Sequence, residues 1–172
     1  MRLDLGSGPV PHEGYTGVDY YVEDVDGVIT YDLERFPWPW ADGEVEAVHC
    51  SHFVEHLAPG MWVPFMNELW RVMKEGAEAV IVHPNLRSVR AFQDPTHRDF
   101  IPAERWAYAD KQWRVSQGLD RPPYPTCDFE IVTFGYTGVH PEFASRSEAA
   151  QTMAATHYWD AVGDLMVTLR KR

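Results

Sequence analysis

Short apolar runs recur along this chain, separated by turn residues. Arg2–Leu5, Thr16–Asp19, Val28–Tyr31, Val45–Cys50, Ala77–His83, Asp128–Phe134 and Asp164–Arg170 each read as a strand. Runs such as Ala47-Val48-His49-Cys50 and Ala79-Val80-Ile81-Val82 do not alternate cleanly. Strands apolar on both faces belong in a parallel sheet covered on both sides. The clearest helical pattern covers Met61–Lys74, where Phe65, Met66, Leu69, Val72 and Met73 fall on one stripe. Lys74-Glu75-Gly76 would close it, with a basic residue in the last turn and glycine as the C-cap. A second helix is expected from Pro102 to just before Gly118, and a third after Ser145 or Ser147. Proline-rich joints at Phe36–Trp40 and Arg121–Pro125 read as loops inside one domain spanning residues 1–172. Strands alternating with helices predict an α/β fold with a doubly wound, mostly parallel sheet of seven strands.

One joint breaks the pattern. Only seven residues separate Gly8 from Thr16, whereas a parallel crossover normally takes ~10–12 or more. The first crossover is therefore a tight loop, and no helix follows the glycine turn Gly6-Ser7-Gly8. This matters for the ligand. A dinucleotide sets its pyrophosphate on the N-terminus of the helix behind such a turn. Here Pro9 and Pro11 remove amide donors, and Asp4 adds a negative charge nearby. S-adenosylmethionine carries no phosphate and has a cationic sulfonium and a cationic amine. Glycines at Gly6 and Gly8 let the backbone approach its methionyl part, beside Ser7, and carboxylates such as Asp4 then help. Asp19, ending the second strand, stands where an acceptor for the ribose hydroxyls belongs.

Charge sharpens this reading. The chain has 172 residues and a net charge of −11; residues 1–60 carry 12 acids against only Arg2 and Arg35. An acidic first half disfavours nucleic-acid partners and suits a cationic ligand. The apolar runs are too short to span a bilayer. With no visible leader and two isolated cysteines, Cys50 and Cys127, a cytoplasmic setting is expected.

Several segments resemble the class I S-adenosylmethionine-dependent methyltransferases, closely over residues 2–100 and loosely beyond. Leu3-Asp4-Leu5-Gly6-Ser7-Gly8 resembles the first motif of that family, and Gly17-Val18-Asp19 the acidic end of its second strand. Tyr31-Asp32-Leu33 resembles the segment whose acid and following amide contact adenine. Ser51-His52-Phe53-Val54-Glu55-His56-Leu57 resembles the segment at the cofactor's reactive end, and Glu68–Gly76 the helix and turn before the fifth strand. Phe36-Pro37-Trp38-Pro39 and Asp94-Pro95-Thr96-His97, with the short first crossover, resemble one small branch; Pro9 departs from members that keep a third glycine. The resemblance implies a Rossmann-like methyltransferase fold, S-adenosyl-L-methionine as cofactor, and contacts from Asp4, Gly6, Ser7, Gly8, Asp19, Asp32, Leu33 and Ser51.

The implied reaction is methyl transfer to an oxygen or nitrogen nucleophile of an unidentified acceptor, a small molecule being favoured. A histidine suits the removal of the acceptor's proton; His52 and His97 are the candidates. Asp94 is expected to build a turn by accepting backbone N–H bonds two residues on, which would hold His97 at a fixed angle. His83, ending the fifth strand, is a candidate substrate contact. Two other readings compete. One is a catalytically idle cofactor-binding module. The other is a zinc hydrolase using His52, Glu55 and His56, since His52-x-x-Glu55-His56 also spells an inverted zinc-protease motif. No resident metal is expected.

Overall fold

Leu3, Asp4 and Leu5 are all buried although Asp4 is charged, because strand β1 (Arg2–Leu5) lies at the centre of a sheet. The computed structural model describes residues 1–172. Its other strands are β2 (Thr16–Asp19), β3 (Val28–Thr30), β4 (Val45–Ser51), β5 (Met73–Pro84), β6 (Phe129–Val139) and β7 (Val162–Lys171). They form one seven-stranded sheet in the order β3-β2-β1-β4-β5-β7-β6. The first five in that order pair in parallel; β7 runs antiparallel to both β5 and β6. The strand order reverses between β1 and β4, so a crevice opens there at the carboxyl edge.

The helices are α1 (Trp62–Val72), α2 (Arg90–Gln93), α3 (Lys111–Ser116), α4 (Pro141–Ala144) and α5 (Glu148–His157), with 3-10 turns at Val54–His56 and Ala103–Ala109. Leu69, Phe65, Met66 and Val72 of α1 join Leu3, Leu5, Val48, Cys50, Ala79 and Ile81 in one apolar core. Trp38 and Trp40 complete it, Trp38 lying edge-on to Phe65 at 5.5 Å. Burial alternates along β4 and β5: Val48, Cys50, Ala79 and Ile81 are buried, whereas His49, Ser51, Val80 and Val82 are half-buried. The second face is therefore less covered than the apolar runs suggest. Over β1 and β4 a loop does the covering. His12 donates its backbone N–H to Asp4 Oδ2 at 2.7 Å and stacks its ring on His49 at 4.3 Å. His49 Nδ1 lies 2.7 Å from Asp4 Oδ1.

Several element boundaries differ from the sequence pattern; β6, for one, runs on to Val139, five residues past the Phe134 expected. Helix α1 ends at Val72 because Met73 turns extended and pairs with Val45, so Lys74-Glu75-Gly76 belongs to an irregular start of β5, not to a C-cap. The segment after Pro102 divides in two: Asp110 Oδ1 accepts from Gln112 N and Trp113 N and caps α3 afresh. Strand β3 stops at Thr30, one residue short of the Tyr31 expected. Ser147 is the N-cap of α5, as one of the two serines named for that start. No helix is long and apolar enough to cross a membrane.

Candidate functional site

Gly6 must turn the chain sharply after β1, and it does so at φ +69°. A side chain there would strike Phe53, whose Cβ lies 2.6 Å from the ideal Cβ position. Phe53 follows β4, so the glycine lets the ends of β1 and β4 close on each other. Gly17, in the neighbouring strand β2, serves the same purpose; a Cβ there would meet Ser7 Oγ at 2.5 Å and Pro11 Cγ at 2.8 Å. The loop that replaces a crossover helix is thus folded directly onto β2.

A cleft of about 700 Å³ opens beside this turn. It is lined by Gly6 after β1, Asp19 to Tyr21 after β2, and Tyr31 to Glu34 after β3. Phe53 and His56 line it after β4, with Pro95, Thr96 and Arg98 from the loop beyond β5. Asp19 accepts from Gly8 N and Tyr21 N, both at 2.9 Å, one bond on each oxygen. A carboxylate oxygen accepts twice, so both keep a lone pair for a ligand. Asp32 Oδ1 accepts from Glu34 N at 2.9 Å and shapes the following turn. The Leu33 N–H has no partner within the protein, although Leu33 is 3% exposed. Glu34 binds the rim together: it accepts from Ala58 N and pairs with Arg98 at 3.4 Å.

Of the residues expected at the cofactor site, Gly6, Asp19, Asp32 and Leu33 line the cleft. Asp4, Ser7, Gly8 and Ser51 do not. Asp4 is 4% exposed and spends its carboxylate on His12 N and His49. Ser7 Oγ donates to Gly8 O at 2.8 Å and sits over Gly17. Gly8 acts through its N–H on Asp19. Tyr20, Tyr21 and Glu34 escaped sequence reasoning, and their one signal was position within four residues of a strand end. Phe53 was named only as part of the Ser51–Leu57 segment, and Arg98, fourteen residues beyond β5, carried no strand-end signal.

The two proton-transfer candidates also stand outside the lining. His52 has φ +56°, uncommon for a residue with a side chain. Its Nδ1 lies 3.2 Å from Glu55 Oε1, and its Nε2 3.9 Å from Asp164 Oδ2 of β7. The Glu55 hydrogen bond, against the effect of burial, holds the imidazole pKa above its usual value. Asp164 is in turn held by Arg90 at 2.6 Å. His97 Nδ1 donates to Ala91 O at 2.9 Å, and its side chain is 7% exposed. Asp94 builds the expected turn, accepting from Thr96 N at 2.8 Å and Thr96 Oγ1 at 2.6 Å. His83 is no substrate contact: it is 1% exposed and accepts from Trp106 Nε1 at 3.1 Å. Burial pushes its pKa down and keeps it neutral. The hydrolase triad does not gather as its motif suggests; Glu55 and His56 cluster with His97, while His52 touches Glu55 through Nδ1 and turns its Nε2 toward Asp164.

No protein-family model and no curated protein matches the chain. Solved structures do. It is similar to an S-adenosylmethionine-dependent methyltransferase from Archaeoglobus fulgidus, with 20% identity and a TM-score of 0.69 over 99% of this chain and 85% of that one. One from Mesorhizobium loti gives 13% and 0.61 over 99% and 90%. The geranyl diphosphate C-methyltransferase from Streptomyces coelicolor, solved with Mg2+, geranyl diphosphate and S-adenosyl-L-homocysteine, gives 10% and 0.57 over 99% and 71%. The fold of this chain is the α/β fold of these methyltransferases.

Proposed function

We propose that the chain is an S-adenosylmethionine-dependent methyltransferase acting on an oxygen or nitrogen atom of a small acceptor. The observation that carries this is the polar set of the cleft. An acidic residue ends β2, an unpartnered N–H follows β3, and the turn after β1 has no helix behind it to receive a phosphate. The set fits a nucleoside without phosphates: Asp19 would accept from both ribose hydroxyls, and the Leu33 N–H would donate to the adenine edge. Gly6 and Phe53 would bound the methionyl end. The bound cofactor supplies a methyl carbon on a positively charged sulfur, an electrophile that needs no further activation. The protein's tasks are then positioning, exclusion of water and proton removal. We assign proton removal to His52, whose ring Glu55 orients from the end of β4. The fold neighbours named as methyltransferases support the reading, and the acidic first half suits the ligand's positive charge.

Calorimetry with S-adenosylhomocysteine, S-adenosylmethionine and NAD tests it. Both adenosyl ligands should bind and NAD should not. Asp19→Asn should weaken binding by about ten- to a hundredfold, since a hydrogen bond to a charged group contributes ~1.5–3 kcal/mol. Tight NAD binding with no adenosyl binding would overturn the assignment. A labelled-methyl screen against metabolite pools then finds the acceptor; cofactor binding with no transfer to any acceptor would favour the idle module.

A further inference from the structure

Three donor side chains that the nucleoside site leaves unused come together beside the cleft. Glu55, His56 and His97 each offer one ligand atom, and these atoms all lie within 4.8 Å of one another. Glu55 is 3% exposed; its Oε1 faces His52, while its Oε2 is buried with no partner in the protein. A buried carboxylate oxygen without a donor is costly, and the residue that carries it is the one grouped with two imidazoles.

The imidazoles are set in the matching state. A carbonyl oxygen only accepts, so the ring nitrogen facing one carries the proton. His97 Nδ1 faces Ala91 O at 2.9 Å, and His56 Nδ1 faces Thr96 O at 3.3 Å and Thr96 Oγ1 at 3.2 Å, whose own hydrogen goes to Asp94. Each ring is left with a lone pair on Nε2, the arrangement in which a second hydrogen bond orients a metal-binding histidine. The backbone fixes the two segments in register. Arg98 N and Asp99 N donate to Glu55 O at 2.8 and 2.9 Å, and Arg98 Nε donates to His56 O at 2.8 Å. A further carboxylate, that of Asp94, stands with its Oδ2 4.0 Å from His97 Nε2.

We propose that Glu55, His56 and His97 form a binding site for a divalent first-row transition-metal ion, zinc foremost. Two imidazole nitrogens and one carboxylate suit zinc and its neighbours, whereas magnesium and calcium take oxygen donors. Three protein ligands leave the ion open positions. His56 also lines the cleft, so an ion held here would stand at its edge. The site departs from the sequence expectation of no metal. It also differs from the motif pair, since His97 replaces His52. Glu55 also orients His52, so the metal site is tested by binding and not by methyl transfer.

Tag-free protein is stripped with a chelator and titrated with Zn2+ by calorimetry, and with Co2+ by visible absorption. One equivalent should bind. His56→Ala and His97→Ala should each weaken binding by more than about a hundredfold, a ligand being worth more than its orienting partner. Both should abolish the cobalt absorption of the wild type. Circular dichroism checks that the variants fold; Glu55→Gln, which keeps the shape, gives a third reading of the same loss. His157→Ala, on α5 and outside the cluster, should bind like the wild type. Asp19→Asn should lose adenosyl ligands yet keep the metal, which separates failure of this site from failure of the nucleoside reading. Absence of saturable Zn2+ binding, or equal binding by His56→Ala and His97→Ala to that of the wild type, would overturn the proposal.

Discussion

Phe53 decides how much room the glycine turn has. With its Cβ 2.6 Å from where a Gly6 side chain would begin, and φ at +69°, Gly6→Ala faces both overpacking and backbone strain. We expect a loss of about 2–5 kcal/mol in urea unfolding, the sum of the two effects. Gly17 has ordinary backbone angles, so Gly17→Ala should lose only the packing contribution, about 1–3 kcal/mol, from Ser7 and Pro11. The assignment of proton removal makes its own demand: His52→Ala should leave S-adenosylhomocysteine affinity unchanged and slow transfer by ~10²–10⁴-fold. Equal losses in affinity and rate would return His52 to a structural role. At this scale the sequence showed residues whose chemistry is local. Gly6 and Asp19 stand at strand ends, and Asp94 makes its turn with Thr96. Residues whose partners lie far along the chain were illegible. Asp4 looked free for a ligand, but its partner His49 is 45 residues away.

Helix α1 holds the loop that backs the cleft. Glu68 Oε1 accepts from Trp38 N and from Arg71 Nη2, both at 2.6 Å, and Arg71 also donates to Trp38 O and Trp40 O. Burial pushes the Glu68 pKa up, but Arg71 and the Trp38 N–H outweigh it, so the carboxyl ends below its ordinary 4.5. A lowered carboxyl pKa stabilises the fold above the unfolded value, and that contribution fades as pH falls through the folded one. Wild type should therefore be more stable than Glu68→Gln at pH 7. The gap should shrink on acidification from about pH 5 downward, measured by thermal melts. Most elements were readable because each strand is a short apolar run between turns. The end of α1 was not, because Met73 serves the core through a strand pairing with Val45 that helical periodicity cannot reveal. The break before α3 was carried by Asp110, a cap signal inside a longer apolar pattern.

Across the whole molecule, both thiols lie within the apolar core. Cys50 is 1% and Cys127 0% exposed. Burial pushes Cys127 up to about 12, and Cys50 also well above its ordinary range. Native protein at pH 8 should therefore show no thiol reactive toward a disulfide reagent, and two after denaturation; early reaction would mean that the core opens locally. The strand order has a different consequence, one of timing. Strand β6 pairs with β7 alone, and β7 comes after it in the chain. A polypeptide emerging from the ribosome can join β1 to β5 as they appear, yet β6 finds no seat until residues 162–171 have cleared the exit tunnel. Throughout that interval β5 offers a bare hydrogen-bonding edge to any neighbouring chain, so the time between the emergence of β5 and that of β7 is when this protein most needs a chaperone.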